Sequence, residues 1–149
     1  MTSANFAVHA NAIIPVSGPE NVLKSHSIVV RQGLIDALMP HAQARALSDI
    51  DHVELPDHVL MPGLVNAHGH AGMTLLRGYA DDMSLASWLN DKIWPLEARW
   101  VSPEFVRDGT DIAAAEMLLS GITTTSDMYF FPDIAAQSLR AAGMRTQLV

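Results

Sequence analysis

The sequence predicts an α/β protein in two parts, residues 1–58 and residues 59–149, and the second part holds the first three strands of a (β/α)₈ barrel. Two observations support this prediction. Before residue 59, short β-prone runs are separated by turn residues; after it, apolar or β-branched runs alternate with helical patterns. Strands that alternate with helices pair in parallel through right-handed crossovers, and such a barrel begins in this way.

The first part is predicted to form an antiparallel hairpin layer. Strands are expected at residues 6–16, 27–31 and 34–39. The cluster Ser17-Gly18-Pro19-Glu20 and the pair Gln32-Gly33 supply turn residues between them. Residues 41–47 carry alanines at helical spacing and predict one short helix, and extended chain follows over residues 53–61.

The second part opens with an apolar run that Pro62-Gly63 begins and His68-Gly69-His70 ends, which predicts a buried strand. A helix is expected over residues 85–93, stopped by Pro95, because proline has no amide hydrogen to donate. Ser102-Pro103-Glu104 is typical of a helix start, with a serine cap, proline at the first helical position and an acid in the first turn.

That second helix should end at Gly121, since glycine readily adopts the left-handed conformation that closes helices. Residues 122–127 are rich in β-branched residues and predict the next strand. A further helix, residues 134–142, and a strand over residues 144–149 follow. A complete barrel takes about 250 residues, so we expect the chain to be the N-terminal portion of a longer protein.

The composition narrows the range of partners. The chain has 9 Lys+Arg against 16 Asp+Glu and a formal charge of -7, which disfavours nucleic acid and anionic membranes as partners. It contains no cysteine, which excludes disulfides and thiolate metal ligands and suits a reducing compartment. The first residues lack the pattern of a secretory signal, and no apolar run approaches the ~20 residues of a membrane span. We therefore expect a cytoplasmic protein.

His68 and His70 are the candidate metal ligands. Side chains alternate along a strand, so two histidines separated by one residue point to the same side and can bind one ion together. The alternative is that both histidines cap the strand through hydrogen bonds.

The motif His68-Gly69-His70, with residues 71–82, Leu85-Ala86-Ser87-Trp88-Leu89 and Trp94-Pro95-Leu96-Glu97, resembles the amidohydrolase superfamily of metal-dependent barrel enzymes. Within it, the chain is most similar to the 5′-methylthioadenosine/S-adenosylhomocysteine deaminases. The resemblance implies that residues 1–58 are part of a small β-sandwich domain built from both chain termini. It also implies that two further histidines, an aspartate and the acid/base glutamate come from strands beyond Val149.

The implied activity is hydrolytic deamination of an adenine nucleoside, in which water attacks C6 and a carboxylate passes a proton to the departing ammonia. Zinc is the expected ion, and iron or manganese would also suit imidazole and carboxylate ligands. No catalytic acid/base is expected within this chain, so the chain alone should be inactive. The resemblance further implies a homo-oligomer for the full-length protein.

Two substrate-binding residues are carried over from the resemblance. In those deaminases a tryptophan lines the nucleoside pocket and a glutamate accepts hydrogen bonds from the ribose hydroxyls; the matching residues are Trp88 and Glu97. Trp88 could instead pack in a core beside Leu85 and Leu89. Glu97 could instead be solvated or pair with Arg99.

Other residues have ordinary explanations. Asp127 could orient a ligand histidine, although bracing a turn is the commoner role. Asp81 and Asp82 are expected to be solvated or to brace their loop. The remaining histidines share no ligand spacing and are expected to have no metal role: His9, His26, His41, His52 and His58. For Met73, Trp94 and Trp100 the sequence leaves core and pocket open.

Two rival functions remain at this point. Guanine or cytosine deaminases and triazine hydrolases share the His-x-His motif and the barrel, so the substrate could differ. A non-catalytic barrel fragment that serves as a scaffold is the second rival, and analysis for bound metal would separate it from an enzyme.

Overall fold

A computed structural model describes residues 5–18 and 22–149. The start of the chain and the end of the predicted turn cluster, Pro19 and Glu20, lie outside the described residues. The chain divides into two compact units, Met1–Pro62 and Gly63–Val149. Membership of the first unit in a composite β-sandwich stays a prediction. In the described ranges, no helix has both the length and the apolar character needed to cross a bilayer.

The first unit is a five-stranded sheet with one short helix. Its elements are β1 Phe6–Ile13, β2 Leu23–Lys24, β3 His26–Arg31, β4 Leu34–Pro40, α1 His41–Ala44 and β5 Asp51–Leu60. The predicted antiparallel pairings are present, because β1 pairs with β3 and β3 pairs with β4 across the left-handed residues Gln32 and Gly33. The predicted helix is confirmed but shorter.

β1 lies in the middle of this sheet. One edge pairs with β2 and β3, and the other pairs in parallel with β5 from Phe6↔Asp51 to Ile13↔Leu60. The sequence indicated extended chain for β5 but not this parallel partner. Ala7 and Val29 are buried with Ala44 of α1 in a small apolar core beneath the sheet.

The second unit begins as predicted, with three parallel strands in the order β6-β7-β8. The strands are β6 Leu64–Gly69, β7 Ile122–Asp127 and β8 Arg145–Leu148. A 3₁₀ segment, Ala71–Leu76, follows β6, and the helices are α2 Leu85–Ser87, α3 Trp94–Trp100, α4 Pro103–Leu119 and α5 Pro132–Ala141. α4 and α5 make the two crossovers, and Ala114, Leu139 and Met144 form their buried core with the sheet.

The ends of α4 follow the predicted local chemistry. The Ser102 hydroxyl accepts a hydrogen bond from the Phe105 amide at 3.2 Å, and Pro103 occupies the first turn. After the helix, Gly121 has φ of 80°, a left-handed conformation that favours glycine. Both predicted boundaries are confirmed because they depend only on neighbouring residues.

The predicted stop at Pro95 is wrong. A π-helical segment, Trp88–Ile93, joins α2 directly to α3, and Pro95 lies in the first turn of α3. The amide of Trp94 donates to the carbonyl of Leu89, five residues earlier. The wider turn changes the hydrogen-bond register just before the proline, so the helical path continues to Trp100.

The 3₁₀ segment lies directly against α4. A side chain at Gly109 of α4 would overlap the backbone of Gly72, so this close approach requires glycine at position 109. Gly72 in turn leaves room for the ring of Tyr129. The residues that follow His70 are therefore packed between a helix and the loop after β7.

Candidate metal centre and adjoining cleft

His68 and His70 lie together at the carboxyl end of β6. Their ring centroids are 4.9 Å apart and the rings are nearly perpendicular, at 85°. His68 is exposed and His70 is half-buried. The alternation of the strand thus places both imidazoles on one side, at the barrel end where the sites of such enzymes lie.

One hydrogen bond decides which nitrogen of His70 can bind a metal. Nδ1 of His70 lies 2.5 Å from the carbonyl oxygen of Met128. A carbonyl oxygen can only accept, so Nδ1 carries the hydrogen and Nε2 keeps its lone pair. This arrangement, in which the second ring nitrogen donates to a carbonyl, is typical of metal-binding histidines.

Asp127 holds the turn that follows His70. Its side chain is 2% exposed, and Oδ1 accepts a hydrogen bond from the Ala71 amide at 2.6 Å. Burial raises the pKa of the carboxyl, and the Ala71 hydrogen bond and the nearby histidines oppose that rise. The observed contact is the turn brace that the sequence favoured for this residue.

The two histidines fit part of a zinc site. Neutral imidazole nitrogens are preferred zinc ligands, and His70 presents Nε2 in the required state. Within residues 5–18 and 22–149, no group of three or more histidine, cysteine, aspartate or glutamate side chains could hold an ion. The described residues therefore offer two candidate ligands and not a complete catalytic set.

A largely apolar cleft of about 460 Å³ adjoins His70. Its lining includes His70, Met73, Trp88, Trp94, Glu97 and Tyr129. Trp88 and Glu97, which the sequence analysis singled out, are thus brought to one cavity, and Met73 and Trp94 join them. Trp100 lies elsewhere, 55% exposed, with the guanidinium of Arg99 over its ring.

Glu97 is paired with a tyrosine rather than with Arg99. The hydroxyl of Tyr129 donates a hydrogen bond to Oε1 of Glu97 at 2.9 Å, and both side chains are half-buried. Burial and then the Glu97 carboxylate raise the pKa of Tyr129, so the phenol stays neutral and keeps its hydrogen.

Tyr129 was missed by the sequence analysis. It stands two residues after the end of β7, in a loop at the carboxyl end of a barrel strand, where binding residues concentrate. An aromatic residue in that loop was the available signal, but its contact with Glu97 lies 32 residues away along the chain.

Three of the remaining histidines meet in the first unit. His9 is 1% exposed; its Nδ1 lies 2.7 Å from the Ser27 hydroxyl and its Nε2 lies 2.9 Å from Nδ1 of His52. The ring of His41 packs edge-on against that of His9, at 5.6 Å between centroids. Spacing along the sequence gave no indication of this cluster. Asp81 and Asp82 are exposed, as expected for solvated loop residues.

A model of the amidohydrolase family matches residues 59–148. The chain belongs to the amidohydrolase family. The predicted barrel class and the family resemblance are both confirmed by this match. The chain spans about a third of the length of the curated amidohydrolase relatives that it matches.

The names of two of those relatives describe deaminases of adenosine derivatives. A 5-methylthioadenosine/S-adenosylhomocysteine deaminase from Teredinibacter turnerae is 47% identical over 148 residues, covering 99% of this chain and 34% of the relative. A 5′-deoxyadenosine deaminase from Methanosarcina barkeri is 42% identical over 139 residues, covering 93% of this chain and 31% of the relative.

Solved structures give the same fold. An adenosine deaminase from Xanthomonas campestris with bound zinc superposes with a TM-score of 0.92 at 44% identity, covering 96% of this chain and 33% of that one. An atrazine chlorohydrolase from Arthrobacter aurescens, complexed with zinc, has a TM-score of 0.83 at 22% identity, covering 97% of this chain and 35% of that one. At that identity the second likeness shows the fold alone.

Proposed function

We propose that the protein is a metal-dependent hydrolytic deaminase of adenine nucleosides, with 5′-methylthioadenosine and S-adenosylhomocysteine as substrates. The observation that supports it most directly is the cleft in which Trp88 and Glu97 adjoin His70. The cleft is mostly apolar, and among the described residues that line it Glu97 is the one carboxylate, which suits a flat base joined to a sugar with two hydroxyls. The names of the relatives agree with this substrate class.

His68 and His70 would hold the ion, and zinc is the proposed metal. When bound, zinc acts as a Lewis acid and lowers the pKa of water towards ~7. The remaining ligands and the acid/base glutamate would come from the part of the full-length protein that corresponds to the rest of its relatives. The role of His70 in this chain is to present Nε2 while Nδ1 donates to Met128.

The residues of the cleft would bind and orient the nucleoside. The indole of Trp88 offers an apolar wall for the base, and the carboxylate of Glu97 can accept from two adjacent ribose hydroxyls. Together they would fix the adenine ring relative to the two histidines and keep bulk water from its faces. Positioning of this kind supplies a large share of the rate enhancement of enzymes.

The test is ammonia release by the full-length protein, purified with zinc, from 5′-methylthioadenosine and S-adenosylhomocysteine. We expect turnover of both nucleosides and slower or no reaction with guanine, cytosine or a chlorotriazine. His68→Asn and His70→Asn should each lose bound zinc and activity, whereas His58→Asn, at an exposed position of β5, should retain both. A protein that binds no metal and deaminates none of these compounds would instead support a scaffold role.

Cytoplasmic location and a homo-oligomeric state belong to the same proposal. The net charge of -7 and the absence of cysteine support a soluble enzyme of a reducing compartment. Cell fractionation and light scattering coupled to size-exclusion chromatography test the two statements separately.

A further inference from the structure

We propose that Tyr129 is a positioning residue that sets the carboxylate of Glu97 for the ribose hydroxyls and thereby determines preference for ribosides. The inference rests on the proposed function and deepens it, since it concerns the same cleft. Tyr129 and Glu97 reach the cleft from different segments, the loop after β7 and α3. Their hydrogen bond therefore joins two of the segments that line the cleft.

The contact restricts a carboxylate that is otherwise free to rotate. The last torsion of a glutamate side chain is broad, so packing alone does not fix the plane of its carboxylate. The Tyr129 hydroxyl occupies one acceptor position on Oε1, at 2.9 Å. Oε2 and the second acceptor position on Oε1 remain for a ligand that brings two neighbouring O–H donors.

The tyrosine hydroxyl is itself held in place by packing of its ring. A Cβ on Gly72 would lie 2.7 Å from Cδ1 of Tyr129, so the ring occupies space that only glycine leaves open. The ring of Phe130 meets it edge-on, with centroids 5.1 Å apart. The hydroxyl therefore lies at a point fixed by the backbone of the segment that follows His70.

This arrangement predicts that removing the Tyr129 hydroxyl weakens the binding of ligands that carry ribose hydroxyls and not of ligands that lack them. Without the Tyr129 hydroxyl, the half-buried carboxylate of Glu97 has one hydrogen-bond donor fewer and can rotate. A riboside that binds to it must then restrict this rotation, which weakens binding. A ligand without ribose hydroxyls never uses the carboxylate in this way, so its binding should not depend on Tyr129. The dependence on the sugar separates positioning from a general structural role.

The experiment uses the full-length, zinc-loaded protein with Tyr129→Phe, which keeps the ring and removes only the hydroxyl. We expect KM for 5′-methylthioadenosine to rise about tenfold, which is typical for loss of one hydrogen bond to a charged group, with little change in kcat. For the 2′,3′-dideoxy analogue, KM should change less than about twofold. Tyr79→Phe is the matched control, because Tyr79 is 54% exposed and lies outside the lining of the cleft.

A double-mutant cycle with Glu97→Gln completes the test. If Tyr129 acts through Glu97, adding Tyr129→Phe to Glu97→Gln should change KM for the riboside much less than it does in the wild-type protein. Equal effects of Tyr129→Phe on the riboside and its dideoxy analogue, or fully additive effects of the two substitutions, would overturn the inference. A wild-type protein that deaminates neither nucleoside would instead refute the proposed function, and the two failures are thus distinct.

Discussion

The carboxylate of Asp127 accepts a hydrogen bond from the amide of Ala71 at 2.6 Å, so the last residue of β7 holds the residue directly after His70. The next residue, Met128, accepts from Nδ1 of the same histidine through its carbonyl oxygen. Asp127 and Met128, at the carboxyl end of β7, thus orient His70 at the end of the neighbouring strand β6.

We predict that Asp127→Ala in the full-length protein lowers zinc affinity about 10- to 100-fold, the usual effect of removing a group that orients a metal ligand. Asp127→Asn should lose less, because its amide oxygen can still accept from Ala71. Competition with a chromogenic chelator measures the affinities, and Asp81→Ala at an exposed loop position is the control. Unchanged affinity in Asp127→Ala would show that the brace does not affect the metal site.

Trp88 should contribute to nucleoside binding through its indole. Trp88→Ala removes an apolar wall of the cleft, and we expect KM for 5′-methylthioadenosine to rise at least about tenfold, the equivalent of ~1.4 kcal/mol. Trp100→Ala, at an exposed position outside the cleft, should leave KM within about twofold of wild type. Steady-state kinetics on both variants gives the two KM values. Similar KM values would show that Trp88 packs in the protein without contributing to nucleoside binding.

Gly109 offers a test of the contact between α4 and the 3₁₀ segment. Alanine in the middle of a helix is normally more stable than glycine by about 1 kcal/mol. At position 109 the new methyl group would overlap the backbone of Gly72, so we expect Gly109→Ala to destabilise the protein by about 1–3 kcal/mol instead. The midpoint of thermal unfolding shows whether Gly109→Ala stabilises or destabilises the protein. A midpoint equal to or above that of wild type would contradict the close approach.

The histidine pair of the first unit predicts specific tautomers. Nε2 of His52 lies 2.9 Å from the carbonyl of Leu47 and must donate to it, so Nδ1 of His52 accepts from Nε2 of His9. Nδ1 of His9 then accepts from the Ser27 hydroxyl. Nitrogen-15 spectra of the histidine rings should therefore show both rings as the Nε2–H form at neutral pH, and His9→Gln identifies the His9 signals.

The burial of His9 determines how the folding stability of the protein changes with pH. Burial lowers the pKa of His9 below its ordinary value of 6.5; the charge of Glu54 opposes this decrease, and the smaller effects of Arg45, His52 and His41 add to it. Below pH 6.5 the unfolded chain binds a proton that the folded chain resists, so folding stability falls as the pH falls. Urea unfolding of the full-length protein, followed from pH 7.5 to 5, should show a smaller loss of stability with falling pH in His9→Gln than in the wild type. An equal slope in both proteins would argue against a buried neutral His9.

Features that depend on neighbouring residues were predictable from the sequence. The Ser102 cap and the Gly121 terminus need only a few adjacent side chains, and the common orientation of His68 and His70 follows from strand alternation alone. The order of strands and helices after residue 59 then specified the barrel start. The cap, the helix terminus, the shared side of the two histidines and the three parallel strands were found as predicted.

Features that depend on distant contacts were not predictable from pattern. The hydrogen bond from Tyr129 to Glu97 spans 32 residues, and that from His9 to His52 spans 43. The predicted helix stop at Pro95 failed for a different reason: the π-helical segment, with the hydrogen bond from the Trp94 amide to the Leu89 carbonyl, shifts the hydrogen-bond register, and apolar periodicity does not reveal such a shift.

The parallel pairing of β1 with β5 has a consequence for the order in which the protein forms during synthesis. Phe6 leaves the ribosome before its parallel partner Asp51, which follows only after β2, β3 and β4 have been made. β1 can pair early with β3, while its other edge must wait for the chain to return. One edge of the middle strand thus remains available to wrong partners until residue 60 has emerged, and an unpaired strand edge of this kind is a site where aggregation can begin.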